Sequence, residues 1–123
     1  MEELRLGAVE ARFADIVWRL APVSTAELVK VCGKELNWKR TTTYTVLKRL
    51  SERGLFKLER GTVTVTLTRR EFYARQSEKL VDDAFGGSLP AFFAAFTSRK
   101  QLSEGEIQEL RALIDSIGRG DEP

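Results

Sequence analysis

The chain has 123 residues, a formal charge of +2 and an apolar fraction of 42%, which suits one compact domain or a small domain with an appendage and excludes a disordered or membrane-embedded polymer. It has no histidine and one cysteine, Cys32, so an intrachain disulfide is excluded, the imidazole base is absent and a cytoplasmic location is expected. The small net charge hides an asymmetry: residues 1–70 carry 14 Lys and Arg against 8 Asp and Glu, whereas residues 71–123 carry 6 against 10, so a polyanionic partner would meet the first half. The longest apolar run, Leu89 to Phe96, is far below the roughly 20 residues of a membrane helix, and no secretory leader is expected because the N-terminus lacks an apolar stretch.

The first helix is expected from about Ala8 to Leu20, with Val9, Phe13, Ile16, Val17 and Leu20 on one apolar stripe. Pro22 ends it, because the ring disfavours helix at Ala21. Val23 reads as a short extended link. Ser24-Thr25-Ala26-Glu27 has the form of a capping box and opens a second helix to about Leu36, with Leu28, Val31 or Cys32, and Leu36 inward. Cys32, among apolar neighbours, reads as a small buried hydrophobe rather than a sensor thiol. A short link near Asn37-Trp38 follows, where Trp38 either staples the turn to the core, the favoured reading, or leans on a sugar-phosphate strand.

The third helix, about residues 40–53, has two faces. Thr43, Val46, Leu47 and Leu50 follow the i, i+3, i+4, i+7 spacing of a core-facing stripe. Thr41, Tyr44, Thr45 and Lys48 share the opposite face, with Arg40 and Arg49 at its borders and no carboxylate before Glu52. Hydroxyls and cations without carboxylates suit a polyanion whose base edges offer hydrogen-bond partners. Gly54 stands where a left-handed cap is expected. Two short helices joined tightly, the second cationic, form a helix-turn-helix pattern. The candidate DNA-contacting residues here are Arg40, Thr41, Thr42, Tyr44, Thr45, Lys48 and Arg49.

Leu55 to Glu59, then Arg60-Gly61, then the alternating run Thr62 to Thr68 read as a β-hairpin. Three helices and a hairpin make a winged helix-turn-helix domain over residues 1–70. Arg60 sits at the wing tip, either reaching a phosphate or minor groove or standing as an exposed turn arginine. Thr68-Arg69-Arg70-Glu71 is a second capping box and opens a long helix to about Phe85, which Gly86-Gly87 stops. Pro90 lies in the first turn of the next helix, which carries Phe92, Phe93 and Phe96. Ser103-Glu104-Gly105-Glu106 is a third box, and the last helix carries Ile107, Leu110, Leu113 or Ile114, and Ile117. Residues 119–123 are expected to form a disordered tail. Residues 71–118 are too few to bury a core alone. They either fold back on the first half or pack on a second copy, and the dimer is favoured because duplex sites are commonly read by twofold dimers. Phe85, Leu89, Phe92, Phe93, Phe96, Ile107, Leu110, Ile114 and Ile117 are the candidate dimerisation residues. The fold class is mainly α with a small β-hairpin wing.

A Trp before a Thr-rich helix ending Leu-Lys-Arg-Leu, then Gly54-Leu55, Ala84-Phe85-Gly86-Gly87-Ser88-Leu89, and the run Leu102 to Leu110 appear in this order. In that order and spacing the chain resembles, over nearly its whole length, the penicillinase-repressor family of bacterial winged-helix regulators, the BlaI/MecI/CopY type. The resemblance implies a homodimeric repressor whose winged helix binds a dyad operator and whose C-terminal helices interlock. It also implies an inactivating protease as partner, since in the best-known members a membrane sensor triggers cleavage at an Asn-Phe bond. The matching pair here is Ala95-Phe96, without the asparagine. The cysteine pairs that bind metal in copper-responsive members are absent after Cys32.

Catalysis is not expected, nor is a cofactor or a metal site. Asp82 and Asp83 would point about a quarter-turn apart on a helix, and Glu104, Glu106 and Glu109 form a helix-start charge cluster. The competing class is a winged-helix protein-interaction module whose Phe-rich C-terminal helices bind a heterologous partner.

Overall fold

The computed structural model describes residues 5–120. Its elements run α1 (Ala8–Leu20), β1 (Val23–Ser24), α2 (Thr25–Leu36), α3 (Arg40–Glu52), β2 (Phe56–Glu59), β3 (Thr62–Val65), α4 (Arg69–Phe85), α5 (Leu89–Thr97) and α6 (Glu104–Gly118). The fold is mainly helical with a small antiparallel sheet, as expected of a winged helix.

Local chemistry sets the helix ends. Thr68 and Glu71 exchange both bonds of a capping box, and so do Ser103 and Glu106. At the start of α2 the structure forms the serine half, with the Ser24 hydroxyl accepting the Glu27 N–H; Ser24 also belongs to β1, where it pairs with Thr62. Asn37 ends α2 in the left-handed region at φ 56°, a conformation asparagine tolerates better than most residues. Beyond α3, Gly54 adopts φ +90° and the Leu55 N–H reaches back to the Leu50 carbonyl.

The sheet has the order β1-β3-β2. Val23, expected as a link, is a third strand paired with Val63. Two-residue pairing patterns of this kind leave little trace in a sequence. Val63 and Leu67 point inward and Val65 is half-buried, so the expected alternation holds. The ladder nevertheless stops at Val65, because the N–H groups of Thr66 and Leu67 both turn to the Leu55 carbonyl.

The core of this half is continuous. Phe13, Val17, Leu28, Leu47, Leu50, Leu55, Phe56, Val63 and Phe72 are fully buried. Cys32 is buried with them, and burial pushes its thiol up to about 11. Trp38 stacks on Phe13 with ring centroids 5.4 Å apart, the stapling role expected of it. Val9, placed on the core stripe by its spacing, is instead 53% exposed; it lies in the opening turn of α1, one turn before Phe13, the first buried residue of that helix.

The chain divides into two compact units, residues 1–79 and 80–123, rather than at residue 70. The reason is Trp18. Its indole N–H donates to the Leu67 carbonyl, and its ring contacts Phe56, Phe72 and Tyr73. The first turns of α4 are thereby part of the winged-helix core.

The second unit, by itself, has a different character. Among its described residues none is buried. Phe85 meets Phe92 edge to face at 5.5 Å, and Phe92, Ile107 and Leu110 are half-buried. Leu89, Phe93, Phe96, Leu113, Ile114 and Ile117 are exposed. Phe92, Phe93, Phe96, Leu102, Leu110 and Leu113 line a groove of about 770 Å³ between α5 and α6. Arg119 and Gly120, expected in a disordered tail, continue from α6 as a capping turn, with the Gly120 N–H on the Ile117 carbonyl; positions 121–123 lie outside the described residues.

Candidate nucleic-acid interface

Helix α3 is held by one face and free on the other. Thr43, Val46, Leu47 and Leu50 are buried, and the Thr43 hydroxyl donates to the Lys39 carbonyl. That bond lets a threonine sit in an apolar core without an unsatisfied donor. On the opposite side Arg40, Thr41, Thr42, Thr45 and Lys48 are exposed and Tyr44 is half-buried. Among the described residues, Arg40, Lys48 and Arg60 take part in no ion pair.

Two arginines occupy places that local rules disfavour. Arg40 opens α3, where the helix dipole opposes a cation, and no acidic residue stands in that first turn. Three successive threonines, Thr41 to Thr43, add poor helix formers to the same turn. An anion at this end would meet the dipole, free N–H groups and the guanidinium together. Arg60 lies at φ 51° and Gly61 at φ 74°, both left-handed, as a two-residue type I′ hairpin turn requires. Position 60 would more comfortably hold Asn, Asp or Gly.

Tyr44 links α3 to the start of α2. The Thr25 hydroxyl, and after it the Arg40 guanidinium, hold the Tyr44 phenol below the ordinary tyrosine range. The guanidinium carbon of Arg40 lies 5.5 Å from the Tyr44 ring centroid, a cation–π arrangement that restricts the arginine. Thr25 was not singled out by its sequence context, which identified only a capping segment. Its neighbourhood follows from how α2 and α3 pack.

Arg49 is placed differently from the other candidates. Its guanidinium holds the Glu10 carboxylate of α1 at 3.1 Å. Partial burial works to raise the Glu10 carboxyl, but the Gly7 N–H, Arg49 and Arg53 together hold it below its ordinary value. This arginine ties α3 to α1. The outer face comprises Arg40, Thr41, Thr42, Tyr44, Thr45 and Lys48, with Arg49 exposed at its border and Arg60 exposed on the hairpin. On the same hairpin Lys57 is paired with Glu59 at 3.4 Å. Among the described residues no group of three or more His, Cys, Asp or Glu could hold a metal ion, and no helix is long and apolar enough to cross a membrane.

The fold is that of a winged helix, with exposed cations and hydroxyls on the outer side of α3. Residues 6–116 match the family model described as penicillinase repressor, and the chain belongs to that family. It is similar to the penicillinase repressor of Bacillus licheniformis, 24% identical over 115 residues that span 90% of each chain. It is also similar to the methicillin resistance regulatory protein MecI of Staphylococcus aureus, 18% identical over 89% of this chain and 93% of the relative. An uncharacterised 16.5 kDa protein of Latilactobacillus sakei is 26% identical over 80% of this chain and 70% of its own length. Members of the family are DNA-binding transcriptional regulators rather than enzymes, and this chain shares that class.

Proposed function

We propose that the protein is a homodimeric repressor, acting in the cytoplasm, that binds a dyad operator with α3 of each copy in a major groove. The observation that carries the reading is the outer face of α3, where cations and hydroxyls are exposed, no carboxylate intervenes, and Arg40 and Lys48 have no acidic partner among the described residues. Such a surface supplies phosphate contacts for affinity and hydroxyls for base edges. The wing would add Arg60 on a flanking phosphate or minor groove. Pairing through α5 and α6 is supported by the exposed Leu89, Phe93, Phe96, Ile114 and Ile117, an apolar surface that a lone copy would leave in water.

Selection of bound sequences from a random duplex pool tests the reading. A twofold-symmetric sequence should be enriched, and residual binding to random duplex should weaken steeply with salt. Failure to enrich any sequence, together with salt-insensitive association, would overturn it. An inactivating protease acting at Ala95–Phe96 would find both side chains exposed but the backbone helical. It would have to unwind α5 before an extended segment could enter its cleft.

A further inference from the structure

We propose that Thr45 reads a thymine through the 5-methyl group and so fixes one base pair in each half of the operator. This deepens the major-groove reading above and rests on it. The exposed threonines of α3 are chemically unlike one another. The Thr45 hydroxyl donates to the Thr41 carbonyl, one turn earlier, at 2.8 Å. A hydroxyl has a single hydrogen, and in Thr45 that hydrogen is already engaged. Thr41 and Thr42 form no side-chain hydrogen bond among the described residues and keep their hydrogens for a ligand.

Thr45 is exposed on the outer face between Tyr44 and Lys48. What it retains for a base is its γ-methyl group and an oxygen lone pair. Reaching a guanine or adenine acceptor with its hydroxyl would require breaking the bond to Thr41. Thymine, by contrast, offers a methyl group in the major groove, and threonine methyl is a recognised partner for it. The contact needs no hydrogen bond to be given up and removes apolar surface from water on both sides.

The test uses the full-length protein and the duplex recovered from the random pool. Each thymine is replaced in turn by deoxyuracil, which deletes only the 5-methyl group, and affinity is read by fluorescence anisotropy at fixed salt. At one thymine per half-site, uracil should weaken the wild type by about fourfold, the worth of one buried methyl-sized group. Thr45→Val keeps the methyl and should bind like the wild type, with the same uracil loss. Thr45→Ser deletes the methyl and should bind about fourfold more weakly, with no further loss on uracil at that position. Both changes lie on the surface and leave the core untouched, which a thermal melt checks.

Uracil without effect at every thymine would overturn the proposal while leaving the operator reading intact. So would a Thr45→Ser variant that still pays the full uracil penalty, or a Thr45→Val variant that loses affinity because an accepted hydrogen bond was the true contact. A pool that enriches no sequence at all would remove the operator reading and this proposal with it.

Discussion

Residues up to Lys79 enclose Phe13, Leu28, Leu50, Phe56 and Phe72 completely, whereas from Leu80 onward no described residue is buried. The two regions expose opposite chemistry. The first shows water arginine, lysine and threonine hydroxyls along α3, having buried most of its large apolar side chains. The second shows water Leu89, Phe93, Phe96, Ile114 and Ile117. A solvated polar face is stable alone and can wait for a polyanion. Apolar ridges on short helices are not, because burial of that surface is the main driving force available to them. The contrast explains why one region is read as the DNA contact and the other as the pairing surface.

The largest effect should come from breaking the second region. Ile114→Asp with Ile117→Asp places four carboxylates at the proposed twofold interface, where each isoleucine would contribute about 1.5–3 kcal/mol on burial. Sedimentation should show monomer at tens of micromolar, while the winged helix unfolds as in the wild type. A dimer that survives both changes would place the interface elsewhere.

Phe72→Ala tests where the first region ends. Phe72 is fully buried, so its truncation should lower stability by about 3–5 kcal/mol in urea titration. A loss under about 1 kcal/mol would mean that α4 is not part of that core.

On the recognition face, Arg40→Ala and Lys48→Ala should each weaken binding to all duplex sequences and reduce the salt slope by about one unit for a phosphate contact, or cost about 1–3 kcal/mol at one base pair for a base contact. Neither change should alter the dimer. Arg60→Asn should separate stability from binding. Relief of the left-handed arginine should stabilise the fold by about 1 kcal/mol, while the salt slope falls by about one unit. Loss of stability in that variant would contradict the strain assigned to the turn.

The smallest effect concerns Glu10. Its carboxyl sits below its ordinary value of 4.5 in the folded protein, so it binds protons more readily when unfolded. Its contribution is therefore present above pH 4.5 and is lost as pH falls through the lower folded value. Glu10→Gln should cost under about 1 kcal/mol at pH 7, since Arg49 is half exposed. The difference from wild type should vanish in acid, as followed by urea titration at several pH values.

Much of this architecture was legible in the residues. Helix α3 could be split into two faces because 3.6-residue periodicity separates Thr43, Val46, Leu47 and Leu50 from Thr41, Tyr44, Thr45 and Lys48. Gly54 marked the end of α3 through the left-handed angle it permits, and Gly61 marked the hairpin turn. What escaped was non-local. The β1 strand exists only because Val63 lies beside Val23. The boundary moved to residue 79 because Trp18, on α1, gathers Phe72 and Tyr73. Helical angle sets Arg49 at the border of the outer face, but its ion pair there with Glu10 of α1 joins residues 39 positions apart. Thr25 met Tyr44 for the same kind of reason.

The most direct measurement follows backbone amide resonances while the selected duplex is titrated into isotopically labelled protein. The largest shifts should fall on Arg40 to Lys48, with a smaller set at Arg60 and Gly61, and should shrink together as salt is raised. Shifts confined to residues 89–118, with α3 unmoved by saturating duplex, would contradict the account.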